Sequence, residues 1–247
     1  MERHDVVLRF APELRFLLRP RHRGEQVRAA CDAQAPLGHL VQSLGVPLTE
    51  VGALRAGGRQ VPASHRCAPG QVVEVDGPAR PQPLPFPRVR FLLDVHLGTL
   101  ARRLRLLGVD TAYDNDRDDA SLVRQAAAEQ RVLLTRDRGL LCRRALPAGG
   151  HVRAERPEEQ LREVLERFAP PLAPWTRCPA CNGLLAPAEA EEVAGELEPG
   201  TRACYEVFAR CGECARVYWP GAHHGRLARI VREAEELAAS ARRAPVR

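Results

Sequence analysis

Lysine is missing from the whole chain: all 37 residues counted as Lys or Arg are arginine. That excludes Schiff-base chemistry on a lysine, a P-loop lysine and control by lysine acetylation. Compositional bias of the genome is the plainest origin of the absence. Whatever the origin, positive charge is carried by arginine, whose planar fork suits bidentate contacts to phosphate. Aromatic residues make up 4% of the 247 positions, which argues against extensive stacking on nucleic-acid bases. No run approaches the roughly 20 apolar residues of a membrane span. The opening MERHDVVLRF lacks the apolar core and small-residue cleavage site of a signal peptide. A cytoplasmic protein with no membrane segment is the expectation.

What is present is ordinary in bulk and specific in detail. An apolar content of 45% is enough for a real core, and the net charge of +6 is mildly basic. The sharpest signal is two C-x-x-C pairs, Cys178 with Cys181 (RCPAC) and Cys211 with Cys214 (RCGEC). In a reducing compartment such pairs point to a metal rather than to disulfides. Four thiolates close the tetrahedron around Zn²⁺, so the ion is structural and keeps no place for water. Pro179 and Gly212 suit the tight turns of the two knuckles. Cys31, Cys67, Cys142 and Cys204 fit no ligand spacing and read as ordinary thiols.

Residues 78–88, PARPQPLPFPR, hold five prolines and cannot be helix or central strand. They read as a stiff linker between residues 1–77 and the rest. Before it, Val6–Phe10 and Gln71–Val75 have strand character, Pro36–Leu44 has helical spacing, and Gly57-Gly58 marks a tight hairpin. Strands around one helix suggest a small β-grasp domain of the ubiquitin-like and sulfur-carrier group. Its end, VDGPARP, runs on into the chain, so there is no free Gly-Gly terminus to activate. It reads as a binding or positioning module, with a protein partner as one possibility.

After the linker, strand and helix patterns alternate. The strands are Val89–Leu93, Asp110–Tyr113, Val132–Thr135 and His151–Ala154. The helices are Leu97–Leu107, Ala120–Gln130, a short one to Ala145, and Pro157–Phe168 with proline at its first position. In the first of them Leu100, Leu104 and Leu107 share a face while Arg102 and Arg105 are expected to point away, and Gly108 stands where a helix terminates. The order implies an α/β domain over residues 89–170, a mostly parallel sheet with helices on both faces. A zinc ribbon over 171–225 and a C-terminal helix and tail over 226–247 complete the division.

In an open parallel sheet, ligands gather outside the carboxyl ends of the strands. Asp94 closes the first strand, Asp137 lies two residues after VLLT, and Asp119 opens the helix between them. Carboxylates crowded there need a hard dication, and Mg²⁺ or Mn²⁺ fits oxygen donors. Each has a plainer role: loop residue for Asp94, helix cap for Asp137, cap for Asp119 in competition with Asp118. Asp114 and Asp116 read as solvated loop charges. Arg102, Arg105, Arg136 and Arg138, with His223 from WPGAHH, are candidates for contact with a nucleic-acid backbone; a solvated surface is the alternative for each.

FLLDVHLGTLARRLRLLGVDTAYDNDRDDASLVRQAAAEQRVLLTRDRGLL, followed by RCPACNGLL and CGECARVYWPGAHH, resembles the Mut7-C family, regarded as a PIN-like ribonuclease fold with an appended zinc ribbon. The N-terminal residues resemble the ubiquitin-like domain often fused to it. The resemblance implies a metal-dependent endoribonuclease acting on RNA, with the acidic cluster on Asp94, Asp119 and Asp137. PIN-like relatives often carry an acidic residue where this chain has Gly139, so a second tightly bound ion is in question. The rival is a non-catalytic RNA- or ribosome-binding adaptor that uses the ribbon and the arginines. A protein-interaction scaffold built on the β-grasp domain is a third reading.

Overall fold

The computed structural model describes residues 3–243, with side chains through Ser240; the outermost residues of the expected N-terminal domain and C-terminal tail lie outside them. In chain order, β1 (Arg3–Phe10), β2 (Gln26–Asp32), α1 (Leu37–Ser43), β3 (Leu54–Ala56), β4 (Arg59–Val61) and β5 (Val72–Val75) precede the proline-rich segment. After it come β6 (Phe91–Leu93), α2 (Gly98–Leu106), β7 (Thr111–Tyr113), α3 (Asp119–Ala128), β8 (Val132–Thr135), α4 (Arg138–Leu141), β9 (Gly149–His151) and α5 (Pro157–Phe168). The cysteine-bearing segment contributes β10 (Leu185–Ala188), α6 (Ala190–Val193), α7 (Pro199–Cys204), β11 (Phe208–Cys211) and β12 (Val217–Tyr218). A long α8 (His224–Arg243) follows. The architecture is mixed α/β. After the proline-rich segment, β6 pairs with β7 and β8 with β9 in parallel, flanked by helices.

Two compact units result: residues 3–85 with 118–151, and residues 86–117 with 152–243. The division therefore does not follow the proline-rich segment alone. In the first unit, alternation places Val6, Leu8 and Phe10 of β1 and Val73 and Val75 of β5 in the core, against Leu37, Leu40 and Val41 of α1. The sheet order is β2-β1-β5-β3-β4, with β1 parallel to β5 and the remaining pairs antiparallel, which is the β-grasp arrangement. Gly57 and Gly58 link β3 to β4 at φ 58° and 76°, left-handed values that a two-residue hairpin requires and glycine supplies at little cost.

The same unit carries β8, whose four residues are all buried, as a run of VLLT between helices demands. Helices α3 and α4 pack on it, and Leu133 and Thr135 pair with Gly149 and His151 of β9. The last strand thus starts earlier than the expected His151–Ala154, because Gly149 and Gly150 give no hydrophobic pattern to announce it. Asp118, not Asp119, caps α3 by accepting the Ser121 N–H at 2.9 Å. Its carboxyl is held below the usual range, first by that N–H and then by the Ser121 side chain. A carboxyl lowered on folding adds stability above its unfolded value of about 3.9 and loses that contribution as pH falls through the folded value. Asp118→Ala is therefore expected to lower the melting temperature at neutral pH, and the gap to the parent should close in acid.

In the second unit β6 is fully buried and parallel to β7, in register Phe91↔Thr111 to Leu93↔Tyr113. Leu100, Ala101 and Leu104 face α2 inward, and α2 packs on β7 and α5, which in turn meets α8. Phe91 and Phe168 stack edge to face at 5.4 Å, worth about 1 kcal/mol beyond their burial. Gly108 ends α2 at φ 75°, and a Cβ there would run into the Ala173 carbonyl. Only glycine satisfies both conditions, as its position in the sequence suggested.

Candidate functional site

The Sγ atoms of Cys178, Cys181, Cys211 and Cys214 lie within 4.8 Å of one another. Each pair forms a knuckle closed by one backbone bond, Asn182 N–H to the Cys178 carbonyl at 2.9 Å and Ala215 N–H to the Cys211 carbonyl at 3.0 Å. The strain falls on Asn182 (φ 75°) and Ala215 (φ 59°), one residue past each pair, rather than on Pro179 or Gly212. A three-stranded antiparallel sheet, β10-β11-β12, supports the second knuckle. The Cys178–Cys214 and Cys181–Cys211 sulfur separations are 3.7 and 3.4 Å. They are far beyond a disulfide bond and near the edge of about 3.8 Å that four Zn–S bonds of 2.3 Å generate. The cluster suits one metal ion such as zinc.

Hydrogen bonding prepares one thiolate. Burial pushes the Cys178 thiol up, but the Tyr218 hydroxyl at 3.0 Å and the N–H groups of Cys181 and Ala180 outweigh it and bring it to about 6. Tyr218 itself is raised, by burial first and then by its bond to Cys178. β12 alternation puts Tyr218 beside the first knuckle.

Arg105 binds the first knuckle to the α/β segment. It is 3% exposed, with Nε donating to Thr111 O at 2.8 Å and Nη1 to the carbonyls of Ala180 at 2.7 Å and Pro179 at 3.2 Å. Asn182 adds to the seam: its Oδ1 accepts the Thr111 N–H and its Nδ2 donates to Asp110, both at 2.9 Å. Arg177 completes it, donating to the Asn182 carbonyl at 2.9 Å and pairing with Asp110 at 3.6 Å. The expectation that Arg105 points outward to meet RNA is thus corrected. Position 105 lies one turn after Ala101 and beside Leu104, inside the buried stripe of α2. Burial lowers the guanidinium pKa, and the surrounding carbonyls consume its donors. Arg105→Met should leave those carbonyls without a donor and cost about 3 kcal/mol in denaturant unfolding, while Arg102→Met on the exposed face should be near neutral. Nothing local in the sequence distinguishes Arg105 from Arg102 except its helical phase.

The acidic candidates occupy different settings. Asp94 follows β6 directly, is 7% exposed, and its Oδ1 accepts the Val95 N–H at 2.6 Å. Tyr113 steadies that turn by donating its hydroxyl to the Val95 carbonyl at 3.0 Å. Asp119 begins α3 with half its side chain exposed, and Arg143 approaches its carboxylate at 3.8 Å. Asp137 caps α4, its Oδ1 accepting the Gly139 N–H at 2.7 Å, and is exposed. Gly139 thus supplies a backbone donor to Asp137, two residues before it. Asp94 belongs to the second unit, Asp119 and Asp137 to the first. Arg102, Arg136, Arg138 and His223 are exposed, with one Arg138 nitrogen donating to the Leu17 carbonyl at 2.7 Å. His224, next to His223, stacks on Trp175 at 5.0 Å.

Fold and site together define a mixed α/β protein with a ubiquitin-like sheet at its N-terminal end and a four-cysteine metal module toward its C-terminal end. Residues 89–231 match the family model described as Mut7-C RNAse domain, and residues 3–82 match the one described as Mut7-C ubiquitin. The chain belongs to the Mut7-C family, in a form with the ubiquitin-like domain fused ahead of the RNAse domain. No curated protein and no solved structure matches it. Among the described residues, no helix is long and apolar enough to cross a membrane.

Proposed function

We propose that the chain is a metal-dependent endoribonuclease in which Asp94, Asp119 and Asp137 hold Mg²⁺ or Mn²⁺. The match of residues 89–231 to an RNAse domain carries this reading. Its support in the chain is chemical. All three donors are hard carboxylate oxygens, and Asp94 and Asp137 follow strands of the parallel ladders at the ends where such sheets place ligands. An ion bound there supplies charge neutralisation and lowers the pKa of a bound water. The residues themselves do the positioning. The Val95 N–H fixes Asp94 Oδ1 and the Gly139 N–H fixes Asp137 Oδ1, so each carboxylate is oriented by a backbone donor. Arg102, Arg136, Arg138 and His223 would steady the RNA backbone by charge.

In this reading residues 89–170 form the nuclease half and 171–225 a ribbon in which zinc is structural, with 78–88 as the connector. Paired C-x-x-C cysteines serving as zinc ligands suit a reducing, cytoplasmic setting. Calorimetric titration of the zinc-loaded protein with Mn²⁺ tests the assignment. The parent should show a Mn²⁺ site that Asp94→Asn and Asp137→Asn each remove. Absence of any such site in the parent would favour the RNA-binding adaptor.

A further inference from the structure

Beyond its resemblance to a carrier, the ubiquitin-like domain has an occupied surface. Within the first unit it holds the segment around Asp137 from both sides. Arg138, which follows Asp137, donates to the Leu17 carbonyl at 2.7 Å. Arg136, which precedes it, offers its carbonyl to His151 Nε2 at 3.2 Å. His151 is itself held from the ubiquitin-like side: its N–H donates to Glu50 Oε1 at 2.8 Å, and its ring lies 5.6 Å from the Phe16 ring. Glu50 is only 5% exposed and Leu17 is fully buried, so the ties at these two residues are built into the domain, while the His151–Arg136 bond lies at the surface. Gln42 Nε2 adds a longer bond to the Cys142 carbonyl at 3.4 Å, just past α4.

We propose that the ubiquitin-like domain is an intramolecular brace, with Phe16, Leu17 and Glu50 as positioning residues that fix residues 136–151. Its partner is this chain's own α4–β9 segment. A buried carboxylate is a costly anchor unless its acceptor atoms are used, and Glu50 spends one on the backbone of β9. The two residues flanking Asp137 are thereby tied, one directly and one through His151, to a domain with its own hydrophobic core. The consequence for cleavage rests on the nuclease reading above; the bracing itself does not.

Hydrogen exchange on the full chain, read by mass spectrometry, tests the brace. Glu50→Ala and Phe16→Ala should each raise exchange across residues 136–151 by about tenfold, the loss expected when a buried hydrogen bond or ring contact is removed. In Glu50→Ala, peptides from β1 and β5 should keep their parental rates; Phe16 also packs on that domain's own core, so Phe16→Ala is read over 136–151 alone. Glu50→Gln, which retains an acceptor oxygen, should behave as the parent. Where RNA cleavage is measured, Glu50→Ala should lower kcat with KM unmoved. Unchanged exchange over 136–151, or loosening spread evenly through β1 and β5 in Glu50→Ala, overturns the proposal. Exchange is read without substrate, so a chain that leaves RNA intact would refute the nuclease reading while the exchange result decides this one.

Discussion

Asp94→Asn is expected to lower RNA cleavage by about a thousandfold with the fold intact, the effect of losing about 4 kcal/mol of transition-state stabilisation. Asparagine is the informative replacement because it is isosteric and keeps an oxygen for the Val95 N–H. The substitution therefore removes the negative charge while keeping that contact. Asp94 is nearly buried, so its charge acts in a medium that screens it poorly, and the loss should be larger than at the exposed Asp119. Asp116→Asn, in the solvated loop ahead of α3, should cleave like the parent. Circular dichroism and melting temperature, equal in all three variants, would separate lost chemistry from lost structure.

The second large effect concerns the cysteine module. Removing a metal held by the four cysteines with a strong chelator, or substituting Cys211→Ser, is expected to unfold the cysteine module and lower the melting temperature by more than about 10 °C. The reason is size. The buried apolar cluster of this segment consists of Val193, Leu197 and Phe208, too small to hold three short strands unaided. Structural zinc contributes on the order of 10 kcal/mol in comparable small modules. The loss should spread, because Arg105 and Asn182 tie the first knuckle to α2 and β7. Both tryptophans of the chain, Trp175 and Trp219, flank the cysteines, so intrinsic fluorescence reports the event directly. Unchanged fluorescence and melting after complete metal removal would show that the four sulfurs are not a folding centre.

Strong local signals were readable from the residues alone. VLLT had to be a buried strand, Gly57-Gly58 had to be a hairpin turn, Gly108 had to end a helix, and the four cysteines had to meet. Each depends on a few neighbouring residues and one steep physical preference. What escaped depends on distant partners or on small side chains. Strand β2 buries Val27 and Cys31 but alternates them with alanines and an arginine, a faint pattern next to its pairing with β1. Arg105 looked like a solvent residue because two of its carbonyl partners, Pro179 and Ala180, lie more than seventy positions away. Asp118 and Asp119 compete for the same cap, and only backbone geometry at Asp118 decides between them. The ties from Phe16, Leu17 and Glu50 to residues 136–151 have no signature in composition or period; a buried glutamate is visible only once its surroundings are.

The nuclease account is tested most directly by incubating the purified protein with a pool of cellular RNA, with and without Mn²⁺, beside Asp94→Asn and Asp137→Asn. The account predicts fragments from the parent only when Mn²⁺ is present, and almost none from either variant. Fragments from all three proteins alike, or intact RNA from the parent at saturating Mn²⁺, would contradict it.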